Sequence, residues 1–203
     1  MGGFGKYQLF ICIIIILGMH SGALIAKAFP ILERPPEEPN GYICKNTTNP
    51  DKYPCSPSDF CGDPSIKYEV NYNNSLNFYN LYTQYGLVCK KKFATGLLNT
   101  IGFFSVFLGC LFIPRLADLY GRKGVYMVSM ICQVPVFLVL SVTHSLMLAY
   151  VAAFGFGLCT IGRISGGFLL LMEFMPTNLQ PVAGGIAMVA EASSLMLWVL
   201  YLT

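Results

Sequence analysis

The chain has 203 residues, of which 55% are hydrophobic, 14% aromatic and 11% charged, and its mean hydropathy is +0.58. That balance does not belong to an ordinary soluble domain and points to a membrane protein. The formal net charge of +3 is scattered over separate segments, makes no basic face and argues against nucleic acid as a partner.

Crossing a hydrocarbon core of about 30 Å takes roughly 20 helical residues. Five apolar runs meet that length, approximately Leu9 to Ala28, Phe93 to Ile113, Val125 to Val142, Leu146 to Phe174 and Val182 to Leu202. They are rich in Ile, Leu, Val and Phe with interspersed Gly, which suits helices that satisfy their backbone internally in lipid. No alternating strand pattern supports a barrel. The predicted class is therefore an all-α membrane protein. The first run, with Lys6 before it and Ala26, Lys27 and Ala28 at its end, also imitates a signal peptide. Its apolar core is longer than most such sequences, and we read it as a retained helix. The fourth run is overlong, which implies tilt or an end outside the membrane.

Between the first and second runs lies a polar segment, about Phe29 to Lys92, without a spanning stretch. Its Cys44, Cys55, Cys61 and Cys89 suggest two disulfides in an oxidising compartment, with three pairings open. Asn46 (NTT) and Asn73 (NNS) are glycosylation sequons, and with the cysteines they favour an extracellular or lumenal loop. The chain thus divides into 1–28, a cytoplasmic start and first helix; 29–92, the cysteine loop; and 93–203, helices two to five. Lys6, Arg115, Arg122 and Lys123 fall on the cytoplasmic side as the positive-inside rule expects, whereas Lys90, Lys91 and Lys92 fall on the other. Cys12, Cys110, Cys132 and Cys159 lie within apolar runs without metal-ligand spacing and read as packing residues.

The stretch PRLADLYGRKG, from Pro114 to Gly124, follows one apolar helix and precedes the next, so its charges read as a tight cytoplasmic turn. It resembles the G-x-L-A-D-R-x-G-R-R-K signature between the second and third helices of the major facilitator superfamily, matching at Asp118, Gly121, Arg122 and Lys123. GGFGKYQLF (Gly2 to Phe10) is similar to the entry to the first helix of organic cation and anion transporters. YGLVCKK (Tyr85 to Lys91) is similar to the close of their cysteine-bearing loop. GRISGGFLLLMEFMP (Gly162 to Pro176) resembles their fourth helix and its E-x-x-P exit, with Glu173 and Pro176 in place. The resemblance runs in order over nearly the whole chain. It departs at Pro114, at Leu119 and at the uncharged run Thr177 to Pro181, which weakens the family's cytoplasmic charge relay.

The resemblance implies about five helices of an amino-terminal half-bundle, in a fold of twelve helices with substrate between two halves. A pathway then requires a carboxy-terminal half or other membrane subunits as partners, beside the lipid bilayer. In the family the turn residues latch neighbouring helix ends and bias inward and outward states.

Ionisable groups at membrane depth cost at least about 2.5 kcal/mol each and need a partner, a wet cavity or a function. Measured from a turn near Asn178, Arg163 and Glu191 lie about 22 and 20 Å up adjacent helices, and His20 lies about 21 Å from Lys6. The sharper reading makes His20, Arg163 and Glu191 candidates to line a substrate path, with Arg163 able to hold a carboxylate. The plainer reading is a structural pair of Arg163 with Glu191. Glu173 is expected to anchor a helix end. Gly18 with Gly22 and Gly162 with Gly166 have the spacing of close helix contacts.

No phosphate loop, metal cluster or catalytic triad is legible, so neither enzymatic activity, nor a cofactor, nor a metal site is expected. Two functions follow: transport of small organic ions by alternating access as part of a larger transporter, or a transport-inactive accessory subunit of a membrane complex. A receptor or adhesion role for the loop is a third. The expected location is a membrane, the plasma membrane first and an organelle membrane, including the mitochondrial inner membrane, second.

Overall fold

A computed structural model describes residues 5–36, 40–46, 52–63, 65–73, 77–90 and 92–202, apart from the side chains of residues 46, 92, 95 and 202. Among the described residues five helices are long and apolar enough to cross a membrane, the arrangement of a multi-pass membrane protein. In chain order the elements are α1 (Lys6–Leu32), β1 (Tyr42–Asn46), β2 (Tyr53–Cys55), α2 (Pro57–Phe60), β3 (Ile66–Val70) and α3 (Leu81–Gln84). Then follow α4 (Lys92–Tyr120), α5 (Arg122–Val142), α6 (Leu146–Phe174) and α7 (Gln180–Leu202).

The chain forms two compact units: residues 1–29 with 97–203, and residues 30–96. In the first, outward faces are apolar. On α4, Phe103, Phe107 and Leu111 recur every fourth residue and are exposed, as a stripe facing lipid requires. The inward face of α6 is instead built from small residues: Ala149, Ala152, Ala153, Gly157, Gly162, Gly166 and Gly167 are all buried. A Cβ at Gly157 would strike Ser105 of α4, and one at Gly162 would strike Ser129 of α5. Small residues thus bring three backbones together where hydrophobic burial gives no drive between helices. Buried Ser105, Thr160 and Ser194 hydroxyls donate to their own helices, at Gly102, Phe156 and Glu191 carbonyls. An apolar cluster of Cys12, Ile15 and Met19 with Tyr126, Leu170, Leu171, Ala183 and Ala187 joins α1, α5, α6 and α7.

The second unit departs from an all-helical class. It holds a three-stranded antiparallel sheet in the order β2-β1-β3, with Tyr42 opposite Cys55 and Val70, and Cys44 opposite Tyr53 and Tyr68. Strands this short, set among Pro and Asn, leave little periodicity to read in the sequence. Cys44 pairs with Cys55 and Cys61 with Cys89, which selects one of the three pairings. Tyr42, Cys44, Cys55 and Phe60 form its small core, with Phe60 and Tyr68 stacked at 4.2 Å. The sheet's own cluster is small, and two cross-links worth about 2–4 kcal/mol each add constraint to it.

The stretch Pro114 to Gly124 is less of a turn than its charges imply. Helix α4 runs on through Pro114 to Tyr120, and Gly121 alone separates it from α5. Gly121 has φ of 88°, a conformation that side chains with a Cβ avoid, so the reversal depends on that glycine.

Candidate functional site

Arg163 lies on the small-residue face of α6 and is only 6% exposed. Its Nη1 donates to Gln133 Oε1 on α5 at 2.6 Å. Its Nη2 donates to the Gly18 carbonyl and to Ser21 Oγ on α1, each at 2.6 Å. One guanidinium therefore joins three helices. The Gly18 and Gly22 spacing explains how α1 comes so near. A Cβ at Gly22 would stand 3.3 Å from Arg163 Cζ and Nε, and one at Gly18 would overlap the Tyr126 hydroxyl. These glycines, read from sequence as helix contacts, admit a guanidinium and a phenol.

The cluster is not fully satisfied. Arg163 Nε and Gln133 Nε2 are buried without a hydrogen-bond partner. Among the described residues no carboxylate is a partner of Arg163, so its positive charge is held there by two neutral side chains and one carbonyl. That is an unusual place for a charge, since desolvation penalises it and only dipoles offset the cost.

His20 and Glu191 occupy the neighbouring seam between α1 and α7. His20 Nδ1 meets the Ala190 carbonyl at 2.5 Å, Lys27 Nζ donates to the Glu191 carbonyl at 2.6 Å, and Trp198 Nε1 donates to the Leu24 carbonyl at 2.7 Å. The pairing of Arg163 with Glu191 is not formed. Depth along a helix sets height but not direction, and successive residues point about 100° apart. Thus Ser21 reaches Arg163 while His20, one residue earlier, reaches α7.

At the other end of α6, Arg122 Nη1 lies 3.0 Å from Glu173 Oε1 and its Nη2 lies 3.9 Å from Asp118 Oδ1. Asp118 closes α4, Arg122 opens α5 and Glu173 closes α6, so one side chain links three helix ends. Lys123 is exposed beside it. In the cysteine-bearing unit Asn73 is exposed and its N–H donates to Asn71 Oδ1. Asn46 lies in β1, and its side chain is outside the described residues.

Sequence reasoning missed Gln133, Ser21, Tyr126 and Lys27. Gln133 carried a signal, an amide inside the apolar run of α5, and Lys27 carried a charge near the end of α1. Ser21 and Tyr126 did not stand out, because hydroxyls are ordinary in such helices. Comparison with protein-family models, curated proteins and solved structures finds no match to this chain.

Proposed function

We propose that this chain is part of a transporter similar to the organic cation and anion carriers of the major facilitator superfamily. It moves small organic ions across a membrane by alternating access, most directly the plasma membrane. The observation that carries the reading is the buried Arg163, bound by Gln133, Ser21 and Gly18 at the meeting of three helices in an apolar bundle. A charge kept at membrane depth without a counter-ion is costly to a mere scaffold and useful to a protein that binds a charged solute. The contact of Arg122 with Glu173 and Asp118 supports it, because a link among exposed helix ends can open and re-form as helices rock. The remainder of the pathway comes from a second half-bundle or from other membrane subunits.

A second reading, a transport-inactive accessory subunit, is favoured by one observation. The bonds of Arg163 to Gln133 on α5 and to Gly18 and Ser21 on α1 would also serve a static helix joint. Counterflow separates the two. The full-length protein with its native partners, reconstituted in liposomes preloaded with a panel of small organic cations and anions, should show saturable, trans-stimulated uptake of at least one. Uptake indistinguishable from empty liposomes across the panel would leave the accessory reading in its place.

A further inference from the structure

The sheet of the cysteine-bearing unit has two unlike faces. Side chains alternate along a strand, so Tyr42 and Cys44 of β1 turn into the small core while Ile43 and Lys45 turn away from it. The register sets Lys45 of β1 directly opposite Lys67 of β3, and Ile43 opposite Glu69. Carried one step past Cys44 and Tyr53, the pairing with β2 brings Lys52 to the other side of Lys45. Three lysines thus form a row across the sheet, about 10 Å from first to last at a strand spacing of about 4.8 Å. All three are exposed. Glu69 Oε2 lies 3.2 Å from Lys52 Nζ, and among the described residues no carboxylate is paired with Lys45 or Lys67. The row borders a recess of about 350 Å³ whose lining includes Ile43, Tyr68 and Glu69.

On the reading that this unit is extracellular or lumenal, we infer that the row of Lys52, Lys45 and Lys67 is a docking surface for an anionic polysaccharide. Lysines on edge strands keep other chains from adding to a sheet, and Lys52 and Lys67 serve that end. Lys45 does not, because β1 is paired on both sides and has no edge to protect. Like charges set directly opposite weaken a strand pair, so the fold gains nothing from Lys45 beside Lys67. What the row offers is a line of point charges on flexible stems over a solvated face, which suits anions repeated along a polymer. A peptide that docks by extending a sheet needs free backbone groups, and β1 has strands on both sides of it already. Anionic lipid headgroups gather on the cytoplasmic leaflet, the side opposite to an oxidised unit. The recess is large enough for a sugar ring rather than a lone ion.

The test measures binding of a fluorescent heparin octasaccharide to the full-length protein, with its native partners, in nanodiscs of neutral lipid. The docking surface predicts saturable binding that weakens as salt rises. Lys45→Glu sets opposite charges across from Lys67, so it should hold or raise the melting temperature while lowering heparin affinity about tenfold or more. Lys90→Glu makes the same change of charge at an exposed lysine of the same unit, outside the sheet, and should lower the affinity far less. Equal weakening by the two variants reduces the effect to general attraction and overturns the row. Unchanged affinity in a well-folded Lys45→Glu protein overturns it too, as does a wild type that does not bind heparin. Competition by an octaglutamate peptide or by phosphatidylserine vesicles as strong as that by unlabelled heparin overturns the polysaccharide assignment. None of these measurements involves uptake, so the transport reading stands or falls separately.

Discussion

Arg163 on α6 donates from Nη2 to the carbonyl of Gly18 on α1 at 2.6 Å, across 145 residues of sequence. A backbone carbonyl cannot be altered by substitution, so the bond is best tested from the arginine. Arg163→Leu removes three charge-assisted hydrogen bonds and strands the Gln133 amide in an apolar site. We expect a loss of about 3 kcal/mol in stability, read by thermal unfolding in detergent, with Arg163→Lys falling between. An unchanged melting temperature for Arg163→Leu would show that the three helices are held elsewhere.

Close approach of α1 to α5 depends on Gly18. A methyl group there would overlap the Tyr126 hydroxyl, and Gly18→Ala should cost about 1–3 kcal/mol. Tyr126→Phe deletes the atom in the way. The double variant should recover most of the loss, and strict additivity of the two changes in a melting series would refute the contact.

The tie between Arg122 and Glu173 is exposed at both ends, with side chains 31% and 51% accessible. Its stability contribution is accordingly small, and Glu173→Gln should shift unfolding by less than about 1 kcal/mol, with the difference fading at high salt. If the link biases two states of the helix ends, exchanging the charges as Arg122→Glu with Glu173→Arg restores wild-type uptake that either single reversal impairs. Equal impairment in the exchange and the single reversals would show that charge pairing is not what matters there.

Peptide mapping of the unreduced protein should return Cys44 linked to Cys55 and Cys61 linked to Cys89. Full alkylation of the four without reductant would contradict an oxidised unit. On the reading that this unit is extracellular or lumenal, Asn73 stands on an exposed turn and should carry a glycan. Enzymatic deglycosylation then lowers the apparent mass, and Asn73→Gln lowers it by part or all of the same amount.

How much of this was legible in the sequence differs by region. The long helices could be read because apolar length in lipid is a strong, local signal, and Leu146 to Phe174 coincides with α6. Their ends were less legible: the charges from Arg115 onward read as a turn, yet α4 continues to Tyr120. The charge on Arg163 marked it at once. Its partners could not be read, because depth gives height and says nothing of which way a helix is turned; Glu191 was the natural guess and Gln133 the observed contact. The sheet was hidden for a different reason. Tyr42–Asn46 and Ile66–Val70 pair across 20 to 28 residues, and no local pattern announces a pairing between strands so short.

The most direct test is uptake by the wild type and by Arg163→Lys, each reconstituted with its native partners and normalised to folded protein by its melting transition. Lysine keeps the charge but cannot reproduce the fork that meets Gln133, Gly18 and Ser21 together. The account predicts saturable uptake of an organic ion by the wild type and a loss of about tenfold or more in the folded variant. Equal uptake by the two proteins would contradict a solute-binding role for Arg163, and saturable uptake by neither would contradict transport itself.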